Sequence, residues 1–175
     1  MKLSKIILVS IPVLIIAPLA FVYSGIFNIA ATATHDPVTN WLLTKTRNRS
    51  IDVRSKGIEI PDLDNEQLQL AGINDFNSMC AGCHTAPGRE PSSLARGLNP
   101  PAPDLAESVL EVPPEKLFWV TRNGIRMTGM PAWGVSHSDD EIWPVISFLQ
   151  VLSDLDGEDY QEMLKNAEGK GHHAH

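Results

Sequence analysis

From Ile6 to Ile29 the chain has no ionisable side chain except Tyr23, and Lys2 and Lys5 precede the run. At about 1.5 Å of rise per residue, some 22 helical residues reach about 33 Å, enough to cross a bilayer's hydrocarbon core. Residues 1–29 therefore read as an N-terminal transmembrane anchor that tolerates Pro12 and Pro18, with the lysines marking the cytoplasmic side. The competing reading is a cleaved signal peptide, because Ala31-Thr32-Ala33 offers small residues at cleavage spacing. The apolar core of such a peptide, however, spans only about 7 to 15 residues. Beyond it, Asp36-Pro37 pairs a cap with a first-turn proline and Gly57 follows a basic last turn. This predicts a helix over 37–56 with Val38, Trp41, Leu42 and Val53 as its apolar positions. Ile58 to Leu63, interrupted by Pro61, predicts an extended linker, so 30–63 reads as a basic juxtamembrane helix and linker.

The next block, 64–155, has the pattern of a mostly α domain. Asp64 with Gln67 as capping-box partner predicts a helix running to about Met79. Pro113-Pro114-Glu115 opens another, carrying Leu117, Phe118 and Val120 and ending near Gly124. Ser138 and Glu141 cap a third, in which Ile142, Val145, Ile146, Leu149 and Leu152 recur at helical spacing, flanked by Trp143 and Phe148. Pro144 removes one backbone bond to Asp140 there and predicts a local bend. Residues 156–175 read as an acidic segment and a His-rich tail.

Composition narrows the possibilities. The 175 residues carry a formal charge of −7, which suits one domain with appendages and argues against nucleic acid as a partner. The charge is divided: residues 35–57 are net +3 and 58–175 net −12. The basic collar is either a solvated helix face or a contact for anionic headgroups or a partner. The tail, with His172, His173 and His175, is either a disordered end or a weak Cu(II) or Zn(II) ligand set.

The chain has only two cysteines, and their spacing carries the chemistry. Cys80-Ala81-Gly82-Cys83-His84 is the attachment pattern for c-type haem: two thiols three residues apart can add to two vinyl groups of one porphyrin, and the next imidazole then lies under the iron. A zinc site would want a second Cys/His pair and a redox dithiol a preceding strand; neither is visible. For the far side of the iron the candidate is Met130, in Thr128-Gly129-Met130-Pro131 between two predicted helices, with Met127 as its rival. The proximal imidazole needs an acceptor for its other N–H, and a proline carbonyl in Asn99-Pro100-Pro101-Ala102-Pro103-Asp104-Leu105 would serve. Haem propionates need donors, for which Arg96, Arg122, Arg126 and the indole N–H of Trp119 or Trp133 are candidates.

Taken together, these motifs resemble a class I c-type cytochrome. Gly72 and Phe76 stand eight and four residues before Cys80, and CAGCH, the Pro103 segment ending in Leu105, and TGMPAW follow in order. The resemblance covers roughly residues 64 to 153 and is closest to single-haem domains of membrane-bound bacterial respiratory chains. It implies three main helices and loops around one haem c, joined covalently to Cys80 and Cys83. It also implies axial ligation by His84 and Met130, with the Pro103 carbonyl receiving the His84 N–H. A small residue at Gly72 would let the terminal helix cross closely. The implied role is that of an electron-transfer protein and not an enzyme, anchored in the bacterial inner membrane with its haem domain in the periplasm. It would relay single electrons from a quinol-oxidising complex or dehydrogenase to a terminal oxidase or reductase. A fixed cytochrome subunit of an oxidoreductase or terminal oxidase is the alternative, ahead of a haem sensor or peroxidase-like enzyme.

Overall fold

The computed structural model describes residues 2–168, with side chains from Ser10 to Ala167; the His-rich tail lies outside the described residues. The chain divides into two compact units, Met1–Thr34 and His35–His175. In the first, α1 runs Lys2–Ser24 with Pro12 and Pro18 inside it, and Gly25 follows at φ +66°. Its described side chains are apolar and exposed on every face, from Ile11 to Val22. Among the described residues no helix is long and apolar enough to cross a membrane, so the anchor expected over 1–29 is not a finding of the structure.

Among the described residues the regular elements of the second unit are all helices. Asp36 caps α2 (Pro37–Arg54), its carboxylate accepting from Val38 and Thr39 N–H at 3.0 Å. There follow α3 (Glu66–Asp75), α4 (Ala81–His84), α5 (Ser93–Gly97), α6 (Leu105–Ser108), α7 (Pro114–Asn123), α8 (Asp139–Leu149) and α9 (Gly157–Glu168). The cap of α3 is Asn65 and not the expected Asp64: the Asn65 side chain accepts from Gln67 and Leu68 N–H, whereas Asp64 N–H is turned back to Asp62. α3 and α4 are joined by a π-helical stretch, Phe76–Cys80, an i→i+5 widening that often marks functional sites.

The core lies where α3 crosses α8. A Cβ on Gly72 would sit 1.9 Å from the Pro144 carbonyl oxygen and 2.9 Å from Phe148 Cβ, so only glycine permits this approach. One turn on, Phe76 packs on Phe148 at 5.2 Å and on Tyr160 at 6.3 Å between centroids. α8 opens with the expected capping box, Glu141 accepting from Ser138 N–H at 2.7 Å, and buries Ile142, Val145, Ile146, Phe148 and Leu149. Pro144 is buried within it. Across the core, Phe118 of α7 stacks on Trp143 at 4.1 Å.

Two segments depart from the expected pattern. Residues 157–168, read from sequence as an acidic extension, form a helix against α3 with Tyr160, Leu164 and Ala167 buried. Those three recur at i, i+4, i+7, a narrow apolar stripe among Glu158, Asp159 and Glu162 that mean polarity hides. The residues expected to be the apolar positions of α2 face outward instead, with Val38 72% and Trp41 60% exposed. The buried end of α2 is Ser55, and the helix is clasped to α7 by Lys116 Nζ and Asp52 Oδ1 at 2.6 Å.

Candidate functional site

A cavity of about 520 Å³ opens between α2, the π–α4 segment, the proline segment 100–103, α7 and the Met130 loop. That volume is within the roughly 300–1,000 Å³ of small-molecule and cofactor clefts. Cys80, Cys83 and His84 line one part of the wall, and Leu98, Pro103, Leu105, Val120, Val145 and Leu149 supply apolar surface. Both cysteines are free thiols, Cys80 buried and Cys83 half-buried. Burial pushes the Cys80 thiol up to about 12, with smaller contributions in the same direction from Asp75 and Cys83, so it is held neutral in an apolar setting.

His84 ends α4, and the chain leaves it through Thr85 at φ +63°. Its Nδ1 lies 2.9 Å from the Pro103 carbonyl oxygen. A carbonyl only accepts, so Nδ1 carries a proton, and in the neutral ring Nε2 then keeps its lone pair, the tautomer a metal-binding imidazole requires. Pro103 is held next to this ring by the cap of α6, where Asp104 accepts from Ala106 N–H at 2.9 Å.

Met130 lines the cavity, on a loop pinned at both ends. Its N–H donates to Thr128 Oγ1 at 3.1 Å, the Thr128 hydroxyl donates to the Ile125 carbonyl at 2.7 Å, and Ile125 N–H donates to the Met130 carbonyl at 3.2 Å. Gly124, at φ +65°, makes the loop possible: a Cβ there would meet Met130 and Pro131 backbone atoms at 2.7–2.8 Å. Met127 is placed differently, at φ +61°, 91% exposed and off the cavity wall.

The expected propionate donors separate. Trp133 lines the cavity; Arg96, Arg122, Arg126 and Trp119 do not. The Arg96 guanidinium folds back to the Pro91 carbonyl at 2.5 Å, and Arg122 is paired with Asp139 at 2.6 Å. Arg126 stands exposed on the turn before Met127. α2 brings Arg47, Asn48, Ile51 and Asp52 to the wall, and α7 brings Lys116. The i, i+1, i+4, i+5 spacing of the α2 set marks one helix face, but its mixed polarity gave no apolar signal.

The donors present fit a haem. There are two thiols three residues apart, an imidazole with a free Nε2, and a thioether on the same cavity, all in a largely apolar lining. Among the described residues no group of three or more His, Cys, Asp or Glu side chains is arranged to hold a metal ion directly.

Residues 68–149 match the model of a family described as cytochrome c oxidase, cbb3-type, subunit III. No curated protein and no solved structure matches the chain. The match begins in α3 and ends at the last residue of α8, so it takes in the helix crossing, the CAGCH segment and the Met130 loop. This part of the chain is a class I c-type cytochrome domain, a haem-based electron-transfer module.

Proposed function

We propose that the protein carries one haem c, bound through thioethers to Cys80 and Cys83 and ligated by His84 and Met130, and that it relays single electrons between membrane respiratory complexes. The observation that carries this reading is the cavity on which Cys80, Cys83, His84 and Met130 converge, with the His84 tautomer fixed by Pro103. When bound, the haem supplies reversible one-electron Fe(III)/Fe(II) chemistry. The protein's own residues then have three tasks. Cys80 and Cys83 fix the position of the group. Pro103 holds the His84 ring in orientation and raises its basicity. The Thr128–Ile125 hydrogen bonds hold Met130 on the wall, where a thioether favours the reduced iron and raises the potential. His84 and Met130 would hold the iron between them and leave no open position for a substrate.

The membrane part of the reading rests on the apolar run 6–29 and on the exposed apolar faces of α1. An anchor there would place the haem domain in the periplasm of a bacterial inner membrane and confine partner search to two dimensions. The acidic domain surface would steer donors and acceptors that present basic faces, with association weakening as salt rises. The name of the matching family supports a second reading, a fixed subunit of an oxidase. Stoichiometric co-purification with catalytic chains from native membranes would select it; recovery as a free chain would select the mobile carrier.

Carbon monoxide tests the ligation. The reduced wild-type protein should not bind it, and Met130→Ala should bind it readily with a lowered reduction potential. Met127→Ala should do neither. Rapid binding by the wild type would contradict Met130 ligation.

A further inference from the structure

We infer that Arg47 of α2 is a partner for the haem propionates, so that the helix preceding the cytochrome domain is a working wall of its cofactor site. This rests on the haem reading above and adds a residue to it. Apart from the Cys-Cys-His cluster, the ionisable side chains lining the cavity are Arg47, Asp52, Glu111 and Lys116. Lys116 and Asp52 are matched to each other at 2.6 Å. Arg47 makes no ion pair among the described residues: its Nε donates to the neutral Asn48 Oδ1 at 3.0 Å, which leaves the outer face of the guanidinium for a carboxylate.

No other arginine among the described residues lines the cavity. A haem in this cavity brings two carboxylates that must be hydrated or matched, and a guanidinium fork is suited to match one. α2 can hold a charge in place because it is fastened independently of Arg47, by the Lys116–Asp52 bridge and by buried Ser55. A fixed positive charge on the wall raises the local potential, which disfavours the more positive Fe(III) state relative to Fe(II).

The test uses the full haem-loaded chain, with Arg49→Gln as a charge-matched control, because Arg49 lies on α2 but not on the cavity wall. Potentiometric titration at pH 7 should show Arg47→Gln shifting the Fe(III)/Fe(II) equilibrium roughly fivefold toward Fe(III), and Arg49→Gln less than about twofold. Arg47→Lys should recover most of the loss. The redox infrared difference spectrum should show a propionate carboxylate band displaced in Arg47→Gln alone. Equal shifts for Arg47→Gln and Arg49→Gln, with covalent haem intact in both, would overturn the inference and leave the haem reading standing. A chain that takes up no covalent haem would overturn both.

Discussion

α8 and α2 turn inward faces of opposite character. α8 meets α3 through apolar contact so close that Gly72 has no room for a methyl group. α2 meets the cavity through Arg47, Asn48, Ile51 and Asp52 and leaves Val38, Trp41 and Leu42 outward. Where the neighbour is another helix, the apolar stripe is the buried face. Where the neighbour is a cavity shaped for a cofactor, polar and charged groups can be the ones turned inward.

The largest effect should come from giving Gly72 a side chain. Gly72→Val places carbon atoms on the Pro144 carbonyl, and thermal or denaturant unfolding should show a loss of about 3 kcal/mol or more. Asn48→Ala, on the inward face of α2, should stay within about 0.5 kcal/mol of wild type. Similar losses for the two would erase the distinction. A smaller effect comes from Ser147, whose hydroxyl donates to the Leu63 carbonyl at 2.7 Å and ties the linker to α8. Ser147→Ala should cost about 1–2 kcal/mol by denaturant titration, because it removes a donor from a buried position.

The smallest effect concerns the clasp on α2. The hydrogen bond from Lys116 holds the Asp52 carboxyl below its ordinary value of 3.8. A folded value below the unfolded one means that the stabilisation is complete above the unfolded value and is lost as pH falls through the folded one. The thermal midpoint of wild type should therefore exceed that of Asp52→Asn at pH 6, and the gap should shrink as pH falls below 3.8 and through the folded value. A gap that persists in acid would show that the Lys116 pair is not its source.

The same contrast explains what was legible in the sequence. The CAGCH spacing, the Gly72–Phe76 pair, the Ser138–Glu141 box and the helix opened by Pro114 are local patterns, and each lies in a segment whose structure follows from near neighbours. The Asn65 cap escaped because Asp64, one residue away, is an equally good capping residue by type. α9 escaped because three buried residues sit among acids. Arg47 escaped because the face of α2 that lines the cavity mixes charged, polar and apolar residues, so no periodic spacing in the sequence points to it. Arg96 and Arg126 are near the motif-bearing loops in sequence, but the Pro91 carbonyl and the Met127 turn take them elsewhere.

Covalent haem attachment can be read from the intact mass and colour of mature protein from a host that assembles c-type cytochromes, after unfolding and extraction with acidified organic solvent. The chain should keep its pigment and weigh one haem more than its polypeptide, and Cys80→Ala with Cys83→Ala should lose both the colour and the added mass. A wild-type chain that came through extraction colourless, at the mass of the bare polypeptide, would show that no haem is bound through Cys80 and Cys83.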